Sequence, residues 1–332
     1  VTLGGINVLP FYAFDAPITN APKIGVEITD HGMAAYPQAG LQEFYAGCQT
    51  VADMAKRVET MHGASFICLH FEGADPNGDN RSIEECVEIA KSVADATDLP
   101  LVIMGCKNIE KDAELFTKVS EALQGKNILV FSAREENYKS VGASAVMAYG
   151  QKVGAESAVD INLAKQLNVL MTQLGVAPTS IVMNAGSAAA GYGYEYVAST
   201  LDRIRAAALA QSDTQLQMPI LTPVSPETWS VKESMVSEAD MPEWGSAEER
   251  GIEMEITTAA ACLAGGSDAG IMLNFHPRGF NFFIGADVPM CKYEPAYYAP
   301  ISRAAVNINM GINFTFGPKH KRKYKTVETQ SL

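Results

Sequence analysis

The chain has 332 residues, 47% of them hydrophobic and 19% charged, and its 25 Lys plus Arg against 38 Asp plus Glu give a formal charge of −13. That balance excludes an intrinsically disordered chain. The acidic surface excludes a general nucleic-acid binder and a binder of anionic membranes, since phosphates would be repelled over most of it. No apolar run approaches the roughly 18 to 20 residues of a bilayer span, and residues 1–10 carry neither a basic n-region nor an apolar signal core.

The six cysteines, Cys48, Cys68, Cys86, Cys106, Cys262 and Cys291, are scattered. None forms a CxxC pair or has zinc-finger or ferredoxin spacing, so reduced thiols in a cytoplasmic protein are expected, and no iron–sulfur cluster in this chain.

In chain order, residues 1–23 read as an extended segment or short strand pair. From residue 24 short apolar runs alternate with helix-period stretches. Strands are expected at 24–29, 64–70, 101–105, 127–132, 151–155, 180–184, 218–222 and 269–273. Helices are expected at 50–62, 82–96, 111–123, 136–149, 160–174, 194–210 and 247–264. Ser82 with Glu85 three residues on makes a capping box. Eight strand–helix alternations without hairpins call for a parallel sheet, and near-continuous apolar strands call for cover on both faces. An open doubly wound sheet shares this pattern, but no Gly-rich nucleotide fingerprint follows the first strand. The expected fold is therefore a (β/α)8 TIM barrel over 24–277, with an N-terminal extension 1–23 and a C-terminal extension 278–332 that ends in a basic tail.

Barrels place their chemistry at the C-terminal ends of the strands. That rule selects Asp30 and His31; His70, Glu72, Asp75 and Asn77; Cys106 and Asn108; Ser132, Glu135, Asn137 and Tyr138; Asp160 and Asn162; Asn184 with Gly186, Gly191 and Gly193; Thr222, Ser225 and Trp229; and Asn274 and His276. No GxSxG elbow, HExxH or P-loop is present. The carboxylates suit acid–base work, but a rim Asp such as Asp160 more often caps the next helix. His31, His70 and His276 are single rim histidines, more often hydrogen-bonding groups than ligands, and Cys106 reads as a packed thiol. The segment 184–196, NAGSAAAGYGYEY, joins small residues to three tyrosines, a surface that a flat ligand could approach closely.

Several motifs together carry a family resemblance: VTLGG…LPFYAFD at the start, DPNG at 75–78, GCKNIEKDAELF at 105–116, ENYKSVGASAVMAYG at 136–150, DINLAKQLN at 160–168, GYGYEY at 191–196, ETWSVKE at 227–233 and PEWGSAEERGIEMEITTA at 242–259. Over residues 1–277 the chain resembles the small subunit of the corrinoid iron–sulfur protein, the delta subunit of the acetyl-CoA decarbonylase/synthase complex.

The resemblance implies a TIM barrel similar to pterin-dependent methyltransferases. It implies a corrinoid (cobalamin) shared with a large subunit that carries the cluster. It also implies methyl transfer from a methyltetrahydropterin methyltransferase to acetyl-CoA synthase/CO dehydrogenase, in the Wood–Ljungdahl pathway. This chain would then be a non-catalytic carrier subunit, with no catalytic residue and no metal ligand. Its expected cofactor-binding residues are Asn184, Gly186, Ser187, Ala189, Gly191, Tyr192 and Gly193, with Thr222, Asp160, Asn162 and Asn137 around the same rim. The small residues of that loop are expected to leave a hollow for the corrin.

Two departures stand out. Asn184 stands where the family has an acid, and no proline follows it, which tells against proton handling or pterin binding there. After His276-Pro277 the sequence leaves the family pattern. The alternative reading is a stand-alone methyltransferase that holds a methyl-pterin through Asp75, Asn108, Asp160 and Asn184.

Overall fold

Strand β1, Lys23–Thr29, pairs in parallel with β2, Ala64–His70, on one side and with β8, Ala269–Met272, on the other. The computed structural model describes residues 1–10, 12, 18–61 and 63–273, together with the backbone of two strands in the C-terminal extension. Between β2 and β8 lie β3 (Leu101–Met104), β4 (Leu129–Ala133), β5 (Lys152–Glu156), β6 (Ile181–Asn184) and β7 (Leu221–Pro223). The sheet order is β6-β5-β4-β3-β2-β1-β8-β7, all parallel. A parallel bridge between Met183 and Ile220 joins β6 to the chain entering β7 and brings the two ends of the sheet together. The fold is the expected (β/α)8 barrel. β7 is shorter than its apolar run because Pro219 has no N–H to give to a ladder.

The helices that follow the strands are α1 (Val51–Val58), α2 (Ile83–Ala96), α3 (Ile109–Ala122), α4 (Tyr138–Val141), α5 (Ile161–Leu174), α6 (Tyr194–Ala210), α7 (Val224–Thr228) and α8 (Ala247–Ala264). Their starts are chemically marked. Thr50–Asp53 and Ser82–Glu85 form reciprocal capping boxes, and Asn108, Asp160 and Ser246 each accept backbone N–H groups of their own first turns. The expected single helix over 136–149 is instead one α-helical turn, α4, that widens into π-type turns over Gly142–Ala148. Ser144 donates to the Ser140 carbonyl in this stretch, a side-chain bond that competes with the regular ladder.

The strands bury both faces. Val26, Ile28, Ile67, Leu69, Ile103 and Val130 are wholly buried. The alternate positions Phe66 and Cys68, Val102 and Met104, Leu129 and Phe131, Leu221 and Ile271 form one cluster inside the barrel. Each such side chain contributes about 1.5–3 kcal/mol by leaving water. Two lumen glycines make room for the rings. A Cβ on Gly25 would lie 2.0 Å from Phe66, and one on Gly154 would lie 2.5 Å from Phe131. Leu3, from the N-terminal segment, packs against this cluster. Ahead of Lys23 no strand forms in that segment among the described residues.

At the N-terminal end of the barrel Arg205 and Asp268 form a buried ion pair at 2.6 Å. Asp268 also accepts the Ile220 N–H at 2.7 Å, and Arg205 donates to the Gly266 carbonyl at 2.8 Å. The pair ties α6 to β8 and to the chain before β7. A cavity of about 520 Å3 lies at this end, beneath Val1–Leu3, with Phe66, Val102, Leu129 and Leu221 on its walls.

The C-terminal unit, residues 276–332, contains an antiparallel pair of strands, β9 (Asn281–Asp287) and β10 (Asn307–Asn313). The candidates Asn274 and His276, and the basic run from Lys319, lie outside the described residues.

Candidate functional site

The upper layer of the lumen is polar, and strand parity explains how. β1 turns Gly25, Glu27 and Thr29 to the same face, and Thr29 stands opposite His70 in the β1–β2 ladder. Glu27 and His70 are both buried, and His70 Nδ1 lies 2.6 Å from Glu27 Oε1. The other Glu27 oxygen accepts the Ser225 hydroxyl. Burial alone would lower the His70 pKa, but the hydrogen bond and charge of Glu27, aided by Glu72, outweigh it and hold the imidazole above its ordinary value.

A second cluster sits on β4 to β6. The β4–β5 register shifts between Val130 and Ala133. At that irregularity the Ser132 hydroxyl donates to Glu156 at 3.1 Å and accepts from the Asn184 amide at 2.8 Å. Arg134 pairs with the other Glu156 oxygen at 2.9 Å. Asn184 Oδ1 accepts the Gly186 N–H at 3.0 Å.

Beside it, Asp112 accepts the Cys106 N–H at 2.8 Å and its thiol at 3.3 Å. Burial raises the Asp112 carboxyl above its ordinary value, and burial with Asp112 pushes the Cys106 thiol up to about 12. Cys106 is thus a packed thiol and no nucleophile at neutral pH. Asp112, Ser132, Arg134, Glu156 and Asn184 line a mouth cavity of only about 110 Å3, with Lys107 and Glu227 also on its wall and paired at 3.2 Å.

The loop from Ala185 to Gly193 does not frame the expected hollow. Ala185 and Ala189 are buried, and the Ala190 N–H donates to Thr258 of α8 at 2.9 Å. A Cβ on Gly186 would lie 3.1 Å from Val159. Ala185, Gly186 and Ala189 serve close packing of the loop onto its neighbours. Gly186, Gly191 and Gly193 have φ of +87°, +89° and +87°, the left-handed region that favours glycine. Past Gly191 the loop surfaces: Tyr192 is 45% exposed and Tyr196 68%, and the Tyr192 hydroxyl donates to Glu233, two residues before Met235, which is 61% exposed.

The structure therefore separates the predicted residues. Asn184 lines the mouth with Gly186. Ser187 and the buried Ala189 lie within the packed loop, whereas Gly191, Tyr192 and Gly193 reach the rim surface. Asp160 is exposed and caps α5 through the Asn162 and Leu163 N–H groups, so Asp160 and Asn162 define a helix start. Asn137 is buried, accepts the Arg134 N–H at 2.7 Å and donates to the Ile109 carbonyl, bracing the loop after β4. Thr222 is wholly buried on the outer face of β7, with its hydroxyl on Ser267, and is withheld from the mouth. Of Asp75, Asn108, Asp160 and Asn184, only Asn184 lines the mouth cavity.

Sequence reasoning passed over Glu27, Arg134 and Glu156. A carboxylate inside an otherwise apolar strand, two positions from another inward residue, was the available signal for Glu27 and Glu156.

No helix among the described residues is long and apolar enough to cross a membrane. Residues 1–254 match the family described as CO dehydrogenase/acetyl-CoA synthase delta subunit. The acetyl-CoA decarbonylase/synthase complex subunit delta of Archaeoglobus fulgidus is 32% identical over 281 residues, covering 83% of this chain and 61% of that protein. The subunit delta of Methanothermobacter thermautotrophicus is 31% identical over 278 residues, 83% of this chain and 69% of that one. The chain thus spans 61% of the length of the first of these relatives. Among solved structures, dihydropteroate synthase from Thermus thermophilus aligns over 78% of this chain and 90% of that one, with a TM-score of 0.46 and 11% identity, too distant to bear on activity. On the match over residues 1–254 and these relatives, the chain belongs to the CO dehydrogenase/acetyl-CoA synthase delta subunit family.

Proposed function

We propose that the barrel is a non-catalytic subunit of an acetyl-CoA decarbonylase/synthase complex, whose rim covers a corrinoid held mainly by a large subunit. One observation carries this reading: the mouth has room for about 110 Å3, while Tyr192, Tyr196 and Met235, three of the exposed large apolar side chains, stand on the rim outside it. Ligand-binding pockets of stand-alone enzymes run to roughly 300–1,000 Å3. Exposed apolar groups gathered at one rim suit contact with a broad apolar surface.

The fit to a corrinoid is a fit to the rim. Among the described residues nothing lies within 4 Å of where a Cβ on Gly191 would stand, so its backbone is open to close approach. Tyr192 and Tyr196 offer ring faces and edges beside it. When bound, the corrinoid supplies the cobalt that carries a methyl group. The residues of this chain orient and shield: Tyr192 is held by Glu233, and the loop beneath it is anchored through Ala190 and Thr258. Asn184, Gly186, Ser187 and Ala189 set the loop's path. In this reading the partners are a corrinoid iron–sulfur large subunit, a methyltetrahydropterin methyltransferase and acetyl-CoA synthase/CO dehydrogenase.

The test compares the chain alone with the chain co-purified with its candidate large subunit, by visible spectrum and by methyl-pterin titration. Corrinoid absorbance confined to the pair supports the subunit reading. Tight methyl-pterin binding by the isolated chain overturns it in favour of a methyltransferase.

A further inference from the structure

We propose that Glu27, His70 and Glu72 form a binding site for one divalent transition-metal ion, separate from the mouth cavity and from the rim surface around Tyr192. His70 Nδ1 lies 2.6 Å from Glu27 Oε1 and 3.7 Å from Glu72 Oε1, and one ligand atom from each residue lies within 4.8 Å of the others. None of the three lines the cavity between Ser132 and Glu227.

Charge is the first argument. Two carboxylates converge on one imidazole, and among the described residues no lysine or arginine forms an ion pair with either carboxylate. Glu27 is 4% exposed, where an ionised carboxylate needs a compensating cation. Binding the ion displaces the hydrogen shared by His70 Nδ1 and Glu27 Oε1, so that the imidazole ligates in its neutral form and the proton leaves to solvent.

The second argument is a polar atom with nothing to bind. Among the described residues Thr29 Oγ1 has no hydrogen-bond partner, in a residue only 4% exposed. Thr29 stands opposite His70 in the ladder and shares strand parity with Glu27, so its hydroxyl belongs to the same corner of the lumen. Buried hydroxyls are nearly always satisfied, and an ion with its water would satisfy this one.

The surroundings have the form of a metal site. Two ligands come from adjacent strands and the third from the turn Glu72–Ala74 just after β2. Ser225 holds the second oxygen of Glu27, as outer partners of ligating carboxylates do. The Glu72 side chain is 46% exposed, which gives the ion a way in from solvent. One imidazole nitrogen with two carboxylates suits Zn2+, Mn2+ or Fe2+ better than an all-oxygen ion such as Ca2+.

Zn2+ is the probe. Chelator-treated full-length chain is dialysed against Zn2+, and bound metal and affinity are measured for the wild type, His70→Ala, Glu72→Gln and His31→Ala, with melting curves for each. The expected result is one Zn2+ per chain, weakened about tenfold or more by His70→Ala and by Glu72→Gln, and unchanged by His31→Ala. His31 leans on Asp79 at 3.0 Å and sits 3.8 Å from the outer oxygen of Glu72. Should His70→Ala fail to fold, the half-exposed Glu72→Gln decides between the outcomes. Absence of stoichiometric Zn2+, or affinity unchanged by Glu72→Gln, overturns the proposal. Loss through His31→Ala equal to that through His70→Ala also overturns it, because the ion would then sit on the surface pair of His31 and Asp79.

Discussion

The two ends of the barrel divide space and chemistry in opposite ways. The N-terminal end has the larger cavity, about 520 Å3, where Phe66, Val102, Leu129 and Leu221 share the wall with Asp98, Lys126 and Lys152, and it also holds the buried Arg205–Asp268 pair. The C-terminal end has little volume, about 110 Å3, but concentrates Glu27, His70, Asp112, Glu156 and Asn184 in hydrogen-bonded clusters, beneath a rim that exposes Tyr192, Tyr196 and Met235. Volume alone would point to the N-terminal end. The buried titratable clusters and the exposed apolar side chains at the rim point to the other, in keeping with the rule for such barrels. In the proposed reading one end holds the fold together, and the other makes contact.

Substitutions at the two ends should therefore separate stability from assembly. The largest effect is expected from Asp268→Ala, which leaves Arg205 buried and unpaired and strips the Ile220 N–H of its acceptor. A loss of about 3–5 kcal/mol in urea unfolding is expected, with partner binding by the remaining folded fraction unchanged. Gly154→Val comes next. The new side chain would collide with Phe131, at a cost of about 1–3 kcal/mol or more. A melting temperature equal to wild type would show that the lumen is looser than described.

At the rim the order reverses. Gly191→Leu has open space but a φ of +89°, so a strain of about 1–2 kcal/mol is expected. It should also reduce co-purification with the large subunit more than Gly154→Val does. Ala189→Leu, by contrast, falls on a buried residue and should lower the melting temperature first. Tyr192→Phe removes only the hydroxyl bond to Glu233. The melting temperature should stay at the wild-type value while pairing weakens, as a pull-down against the large subunit would report.

The polar lumen predicts a pH dependence of its own. The folded state holds the His70 proton more tightly than an ordinary imidazole of pKa 6.5. Stability from the Glu27–His70 pair is therefore full below about pH 6.5 and is lost as pH rises through the raised value. Melting curves of chelator-treated wild type and His70→Gln should converge as pH increases above neutrality. A gap that widens with pH would reverse the assigned sign.

How much of this was legible in the sequence follows the physics of each element. Strands covered on both faces are continuous apolar runs, so all eight were visible, and side-chain caps such as Ser82–Glu85 and Asp160 marked helix starts. The widening after Val141 was not legible, because Gly142 to Ala148 keeps helical propensity while the backbone pattern changes. The rim rule found His70 and Asn184 but passed over Glu27 and Glu156, whose role depends on which way a strand turns each side chain. Thr222 failed the same parity test, as it points outward beside an inward Leu221. The small-residue loop was found, but composition cannot distinguish a hollow from tight packing, and only the buried Ala185 and Ala189 decide between them.

In the proposed reading the rim, rather than a pocket or the opposite end, is the working surface. Hydrogen exchange of the chain, alone and paired with its candidate large subunit, tests it most directly. New protection is expected over residues 187–196 and 231–236, with residues 97–101 and 126–128 at the far end unchanged. Protection confined to that far end, or none at the rim in a stable pair, would contradict the account.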